Sequence, residues 1–183
     1  ISNMIFIYKK KYFSPITAHI PLRNVTKFFN NSKLIINKIK LINESLINDF
    51  KIQKPKILIS GINPHSGENG YIGTEEINIL NPIIKKLKKN ININGPISGD
   101  AMINNQNLKI YDCFIFAYHD QALIPFKILS KYSGVNYTSN LSIIRTSPDH
   151  GTSYRLKSNL NKVSPKSLIN AFKILKKIHL NRS

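Results

Sequence analysis

The chain has 183 residues, of which 42% are hydrophobic and 9% aromatic, so it is long enough for one domain with its own core. No apolar stretch approaches the roughly 20 residues that span a bilayer, and the lysines near the start follow the apolar run instead of preceding it as in a secretory signal. We therefore expect no membrane partner and a cytoplasmic location. The single cysteine, Cys113, excludes an intrachain disulfide, and its apolar neighbours predict a buried, inert thiol.

The formal net charge of +18 would suit a nucleic-acid-binding protein. Arginine is the residue best suited to bidentate phosphate and base contacts, yet only 4 of the 27 basic residues are arginine. The abundant Ile, Asn and Lys share A/T-rich codons, so compositional drift explains the lysines as solvated helix faces. We expect no nucleic-acid partner and keep a basic nucleic-acid-binding protein as the alternative.

Apolar periodicity divides the chain into alternating strands and helices. In chain order it predicts strands at residues 4–8 and 16–20, a helix at 24–50, a strand at 56–61, a glycine-rich loop at 63–73, a helix at 74–89, and strands at 91–97 and 111–117. A helix capped by Asp120 then runs to about residue 129. Short strands at 135–138 and 142–145 precede a closing helix from about 164 to 180. This alternation favours an α/β/α sandwich, in which ligands bind beyond the strand ends.

Three histidines, His19, His65 and His119, stand at or after the ends of predicted strands. Three neutral imidazoles with one open position would suit a divalent catalytic ion such as Zn²⁺. Asp120, next to His119, could orient an imidazole or transfer a proton. The spacing alone does not make a metal motif, and it favours structural histidines at strand ends.

A second group of polar residues could hold a phosphate or a carboxylate: Lys127, Asn136 and Arg145. Taken alone, a solvated lysine and a surface arginine are the more frequent arrangement. The chain contains neither G-x-G-x-x-G nor a Walker A motif, so a conventional Rossmann or P-loop nucleotide site is not supported.

Short segments along the chain form a joint pattern. They are HIPL at residues 19–22, NPHSGENG at 63–70, GTEE at 73–76, GP at 95–96 with Asp100, YHDQ at 118–121, GVN at 134–136, and IRTS at 144–147 with DHGT at 149–152. In order and spacing these segments resemble the 4-hydroxythreonine-4-phosphate dehydrogenase family, from about residue 4 to about residue 175.

The resemblance implies a role for each group of polar residues. The metal ligands would be His19, His65 and His119, binding Zn, Mg or Co in an active site shared between the two chains of a homodimer. The phosphorylated substrate would contact Lys127, Asn136 and Arg145, and the catalytic acids would be Asp100 and Asp120.

The reaction implied is the NAD- or NADP-dependent oxidation of 4-phosphooxy-L-threonine. Decarboxylation to 3-amino-2-oxopropyl phosphate would follow, in pyridoxal 5'-phosphate (vitamin B6) biosynthesis. The fold implied is an α/β/α sandwich of the isocitrate/isopropylmalate dehydrogenase-like type, which binds the dinucleotide without a Rossmann fingerprint. In such enzymes a His-Gly turn contacts the adenosine end, and residues 149–151 could do so here.

Two departures from the family bear on this interpretation. The chain resembles an N-terminally truncated member, in which residues 1–128 form the metal-binding and dimerisation region and residues 129–183 return to a missing N-terminal domain. Residues 139–142 read SNLS where the family usually has a Leu-Gly-Leu-Pro type segment. A paralogous dehydrogenase of another phosphorylated hydroxy acid, such as phosphoerythronate, and a remnant that assembles with other chains remain alternatives.

Overall fold

A computed structural model describes residues 1–149 and 164–183, and within them the chain builds one seven-stranded mixed sheet. In chain order the strands are β1 (Asn3–Tyr8), β2 (Lys11–Thr17), β3 (Ile57–Ser60), β4 (Ile93–Ile97), β5 (Cys113–Tyr118), β6 (Val135–Ser139) and β7 (Arg145–Pro148). Their order across the sheet is β4-β3-β5-β2-β1-β6-β7.

The sheet has a parallel half and an antiparallel half that meet at β1. Strands β4, β3, β5 and β2 are parallel neighbours, whereas β1 is antiparallel to both β2 and β6, and β7 is antiparallel to β6. The carboxyl ends of β2 to β5 therefore lie along the same edge of the sheet. Each of the two outermost strands within the described residues contains a proline, Pro96 in β4 and Pro148 in β7.

Helices cover both faces of this sheet. They are α1 (Val25–Phe29), α2 (Ser32–Asn48), α3 (Asn81–Leu87), α4 (Asn105–Ile110), α5 (His119–Ser130) and α6 (Lys166–Arg182). None of the described helices combines the length and the apolar character that a membrane crossing requires.

The two faces of the sheet bury different kinds of side chain. One face is mainly aliphatic and packs against α2, α3 and α6, with Ile39, Ile84 and Ile178 fully or nearly fully buried. The other face is aromatic: Phe126 of α5 packs on Phe13, with ring centroids 5.3 Å apart. Burying each such side chain contributes roughly 1.5–3 kcal/mol. Because successive side chains of a strand point to opposite faces of the sheet, the apolar strands stabilise a helical layer on each face. The expected layered α/β arrangement is confirmed.

The predicted helix at residues 24–50 is wrong in one respect, because it is two helices. The chain leaves α1 at Asn30, and the side chain of Asn31 then caps α2 by accepting a hydrogen bond from the backbone N–H of Leu34 at 3.1 Å. Asparagine competes well for backbone groups at helix ends, so two adjacent asparagines interrupt an otherwise helical apolar pattern.

Other boundaries also differ from the prediction. The predictions of strands at 16–20 and 142–145 are mostly wrong. The first range shares only residues 16 and 17 with β2, and the second shares only Arg145 with β7. The helix expected at 74–89 opens with one π-helical turn at Glu76–Leu80 before α3. The apolar pattern did not predict α4, because that helix is short and mostly polar.

A buried polar cluster fixes the closing helix α6 to the rest of the fold. Asp49, at the end of α2, accepts hydrogen bonds from the Tyr137 hydroxyl of β6 and from Arg182 Nε at 2.7 Å. Arg182 Nη2 also donates to the Tyr137 hydroxyl at 2.9 Å, and Asn181 Nδ2 donates to the Asp49 carbonyl at 2.6 Å. Burial and the neighbouring Asp49 raise the pKa of Tyr137.

Candidate functional site

Two of the three predicted histidine ligands meet at the carboxyl edge of the parallel half-sheet. His19 lies two residues beyond β2, with a positive φ of 56°, and His119 begins α5 directly after β5. Because β2 and β5 are neighbouring parallel strands, the two imidazole rings come together, with centroids 5.4 Å apart and planes at 45°. These rings line one cavity of about 250 Å³ with Thr17, Leu22 and Val25.

Asp120 contacts the second of these rings. Its Oδ1 lies 2.7 Å from Nδ1 of His119, and the two side chains are 74% and 34% exposed. The prediction that Asp120 caps the helix is wrong, because the N-cap residue is Tyr118 and Asp120 belongs to the first turn of α5. In that position a carboxylate is favoured by the helix dipole while its side chain stays available to the imidazole.

His65 lies in an unusual turn after β3. Residues 65–69 all have positive φ, between 43° and 81°, so the chain makes a short left-handed turn that favours glycine and asparagine. The side chain of His65 is 70% exposed, and its Nδ1 is 3.9 Å from the carboxylate of Glu68.

Glu76 holds this left-handed turn in place. Its carboxylate is buried, and it accepts hydrogen bonds from the backbone N–H groups of Ile62 at 2.7 Å and Asn63 at 2.8 Å. The Asn63 side chain donates to the other carboxylate oxygen at 2.9 Å. Because N–H donors compensate its burial, the carboxylate fixes the start of the loop that carries His65.

Asp100 lies in the loop after β4, close enough to His65 to interact with it electrostatically. The Ser98 hydroxyl donates a hydrogen bond to Asp100, and this bond, with backbone donors and the nearby His65, holds the pKa of the Asp100 carboxyl below its usual value. Asp100 and Asp120 both line a mainly apolar cavity of about 400 Å³ along α5.

The three histidines do not form one cluster within a single copy. In residues 1–149 and 164–183, no three His, Cys, Asp or Glu side chains come close enough to hold a metal ion. His19 and His119 are adjacent, whereas His65 lines a separate cavity next to β4 with Gly95 and Pro96. The assignment of His65 as a third ligand therefore stays a prediction.

The predicted phosphate contacts lie beside the antiparallel half of the sheet. Asn136 of β6 and Arg145 of β7 share a face, because their cross-strand partners are Ser147 and Thr138, and Arg145 Nη1 donates to the Thr138 hydroxyl at 2.8 Å. Lys127 of α5 is half-exposed, and its Nζ lies 3.6 Å from Asp149 Oδ1.

Two oxygen atoms beside these predicted phosphate contacts are buried. Asn136 Oδ1 and Asp149 Oδ2 are buried and have no hydrogen-bond partner among residues 1–149 and 164–183, and an unpartnered buried polar atom favours a ligand or water at that place. Residues 150 and 151 of the predicted His-Gly turn lie outside the described residues.

Sequence reasoning assigned no role to several side chains that shape this edge. Thr17 and Ser60 end two apolar strands. The Thr17 hydroxyl donates to the Ala117 carbonyl of β5, and the Ser60 hydroxyl donates to Gln121 of α5 and accepts from the Ala117 N–H. Gln121 donates to the Gly61 carbonyl, and Glu76 accepts from the backbone N–H of Ile62. A polar residue at the end of an otherwise apolar strand was the available signal, but its partner depends on strand order.

Fold and site together define an α/β protein with paired imidazoles beyond the carboxyl ends of parallel strands. Residues 2–175 match the family model described as pyridoxal phosphate biosynthetic protein PdxA. The chain is 44% identical over 172 residues to the 4-hydroxythreonine-4-phosphate dehydrogenase of Sulfurihydrogenibium sp. (strain YO3AOP1), covering 93% of this chain and 52% of that protein. It is 43% identical over 172 residues to the enzyme of the same name from Wigglesworthia glossinidia brevipalpis, covering 93% and 51%.

Solved structures agree with these sequence matches. A 4-hydroxythreonine-4-phosphate dehydrogenase from Klebsiella pneumoniae is similar with a TM-score of 0.77 and 30% identity, covering 97% of this chain and 54% of the other. A terephthalate 1,2-cis-dihydrodiol dehydrogenase from Burkholderia xenovorans LB400, at 22% identity and a TM-score of 0.75, shares the fold. The chain belongs to the PdxA family, and it spans about half the length of the curated relatives that it matches.

Proposed function

We propose that this chain contributes the metal-binding part of an NAD- or NADP-dependent dehydrogenase that acts on 4-phosphooxy-L-threonine in vitamin B6 biosynthesis. The observation that carries the proposal is the pair of imidazoles, His19 and His119, with Asp120 bonded to the second ring. Relatives that carry the name of this enzyme match across 93% of the chain.

The donor set fits a divalent ion such as Zn, Mg or Co. Imidazoles are common ligands of catalytic zinc, and the contact from Asp120 to Nδ1 of His119 directs Nε2 of that ring outward as the ligating nitrogen. Such an ion would polarise the substrate hydroxyl and stabilise negative charge. His19 would supply the second ligand.

We propose that the third ligand, His65, comes from a second copy in a homodimer with a shared active site. His65 lines a different cavity from the one that contains His19 and His119, and its 70% exposed side chain can face a second copy. The distance between the phosphate-binding and the metal-binding residues also favours a shared site. Strand β7, which carries Arg145, lies three strand spacings from β2, or about 14 Å, and four from β5, or about 19 Å. A small phosphorylated hydroxy acid is more easily held between two copies than across one sheet.

The chain's own residues would orient the substrate and move its protons. Lys127, Asn136 and Arg145 would hold the phosphate and fix the reacting carbon against the nicotinamide. Asp120 would accept the proton of the 3-hydroxyl as a hydride leaves the same carbon for the cofactor. The β-keto acid so formed would lose CO₂, and Asp100 would return a proton to the resulting carbon, giving 3-amino-2-oxopropyl phosphate.

Two further features belong to the same proposal. The fold would be of the isocitrate/isopropylmalate dehydrogenase-like type, which accounts for dinucleotide binding in a chain without a G-x-G-x-x-G motif. The location would be the cytoplasm, where a free Cys113 remains reduced.

A metal titration of the purified chain tests the site. We expect one Co²⁺ or Zn²⁺ site per copy in calorimetry, and a loss of affinity of at least about 100-fold in His19→Ala and His119→Ala, because each removes a ligand. His179→Ala, an exposed histidine of α6, is the matched control. Unchanged affinity in His119→Ala would refute the assignment.

Mixing variants tests the shared arrangement. His65→Ala and His119→Ala each disable both sites of a symmetric dimer, but a mixed dimer contains one intact site. We expect an equimolar mixture to regain part of the metal binding that neither variant has alone. With NAD supplied, formation of NADH and release of CO₂ from 4-phosphooxy-L-threonine, compared with the same assay on phosphoerythronate, then distinguish the proposed enzyme from a paralogue.

A further inference from the structure

Gln121 occupies a crevice between two strands at the carboxyl edge. The chain leaves β3 toward the face that α3 covers, whereas it leaves β5 toward α5 on the opposite face. Neighbouring parallel strands whose connections depart to opposite faces leave a crevice between their ends, which is where ligands of open α/β sheets collect. The Gln121 side chain, from the first turn of α5, enters this crevice.

Every polar atom of this amide makes a hydrogen bond to the neighbouring strand ends. Gln121 Oε1 accepts from the Ser60 hydroxyl and from the Ala117 backbone N–H, each at 2.9 Å. Gln121 Nε2 donates to the Gly61 carbonyl at 3.1 Å. The amide therefore binds β3, β5 and the first residue after β3 at once.

These bonds replace the backbone ladder at the point where it ends. The last register pair between β3 and β5 is Ile59 with Ile115, and in the described residues no further backbone pair joins these two strands. Gly61 leads into the His65 turn, and Ala117 lies two residues before His119. Beyond the ladder, two side chains therefore connect the histidine loops. The Ser60 hydroxyl accepts a hydrogen bond from the Ala117 N–H at 3.2 Å, and the Gln121 amide binds both Ala117 and Gly61.

A third loop also packs against this amide. A methyl group at Gly99, the residue before Asp100, would lie 2.6 Å from Gln121 Nε2. The glycine permits this close approach, so the loops that carry His65, Asp100 and His119 share one contact point.

We infer that Gln121 is a positioning residue for the metal site, which fixes the spacing between the His119 and His65 loops. The inference rests on the proposed function, in which each copy supplies both loops to the two symmetric sites. With two half-sites facing each other, an error in this spacing misplaces a ligand in both sites. Ligand geometry must be held within about half an ångström, so one displaced loop weakens the ion's binding.

The test is Co²⁺ binding by the full 183-residue chain, measured by calorimetry and by the visible absorption of the bound ion. Gln121→Leu keeps a similar volume and removes all three bonds. We expect its Co²⁺ affinity to fall about tenfold or more, with shifted absorption bands, as for other residues that orient metal ligands. Gln106→Leu, at an exposed position of α4, is the matched control and should match the parent chain.

Two milder variants keep the test decisive if Gln121→Leu does not fold. Gln121→Glu retains the acceptor for Ser60 and Ala117 but loses the donor to Gly61, and Ser60→Ala removes one donor to the amide. We expect both to fall between the parent and Gln121→Leu in affinity. A purely structural role would instead lower the unfolding temperature while Co²⁺ affinity and spectrum stayed unchanged in the folded protein.

The outcomes separate this inference from the function on which it rests. If His119→Ala abolishes Co²⁺ binding but the Gln121 and Ser60 variants bind as the parent does, the positioning role is refuted and the proposed metal site stands. If the parent chain binds no Co²⁺ through its histidines, both are refuted.

Discussion

Cys113 carries the single thiol of the chain. It is completely buried in the first position of β5, within the aliphatic face of the sheet. Burial, together with the nearby Asp112, raises the pKa of its thiol. Because the thiolate is the reactive form, the folded protein keeps this group both inaccessible and protonated.

We therefore expect Cys113 to react with iodoacetamide only when the protein unfolds. Labelling measured by mass spectrometry should be negligible in buffer and should follow the denaturant unfolding curve. Ser2→Cys adds an exposed thiol near the start of the chain and should label at once, which controls for the reagent. Fast labelling of Cys113 in the folded state would contradict the buried assignment.

Glu76 shows what a single sequence cannot reveal at this scale. Its position after Gly73-Thr74-Glu75 predicts an acidic first turn of a helix, and acidic residues there usually face solvent. The structure buries this carboxylate among backbone N–H donors of the preceding loop. Only the path of residues 62–70 distinguishes Glu76 from the adjacent Glu75, and the apolar pattern says nothing about that path.

At the scale of elements, the left-handed turn after β3 depends on two glycines in different surroundings. Gly67 and Gly70 both have positive φ, 81° and 98°. A Cβ at Gly67 would lie 2.5 Å from the carbonyl oxygen of Gly73 and 2.6 Å from Glu76 Oε2, whereas a Cβ at Gly70 would meet nothing closer than 3.5 Å. A side chain at either position would therefore strain the backbone, but only at Gly67 would it also collide with neighbouring atoms.

We expect Gly67→Ala to be more destabilising than Gly70→Ala by about 1–3 kcal/mol, because overpacking adds to the strain that both share. Urea unfolding of the two variants measures the difference, and each serves as the control of the other for the cost of positive φ. Equal losses would mean that the turn relaxes away from Glu76 when a methyl group is added.

The cluster around Asp49 predicts how strongly α6 depends on its last turn. Arg182→Leu removes the charged partner of a buried carboxylate, so we expect a loss of roughly 2–3 kcal/mol in the free energy of unfolding. Lys176→Leu, at an exposed position of the same helix, should change stability little and is the matched control. A loss in both variants of the same size would indicate a general effect on the helix.

Sequence patterns predicted most elements of this fold, and the failures have local causes. Apolar runs such as residues 56–61 and 111–117 mark β3 and β5 because buried parallel strands are apolar on both faces. His19 and His119 are 100 positions apart, so their contact could not be predicted from sequence spacing. It depends on β2 lying beside β5. That order follows from the packing of the whole sheet.

At the scale of the whole molecule, three buried thiol and phenol groups make the folded protein less stable at alkaline pH. Burial raises the pKa of Cys113, Tyr12 and Tyr137. Each group holds its proton more tightly in the folded state. Its contribution is therefore complete below its ordinary pKa, about 8.5 for Cys and 10 for Tyr, and is lost as pH rises toward the raised value. Lys38 acts in the opposite direction, because burial lowers its pKa.

We expect the free energy of unfolding to fall as pH increases above about 8.5, since three groups outweigh one. In the Cys113→Ala variant the free energy of unfolding should begin to fall only near pH 10, because only the tyrosines remain to titrate. Denaturant unfolding at a series of pH values measures both curves. Parallel curves for the parent and the variant would show that the thiol does not contribute.

Within the described residues the two outermost strands each contain a proline, which restricts how copies of the chain can associate. Proline has no N–H to give to an added strand, and β4 and β7 are each only four or five residues long. Stacking of copies into a continuous fibril-like sheet is therefore disfavoured at both flanks. We therefore expect copies of this chain to associate through side-chain surfaces of helices and loops instead.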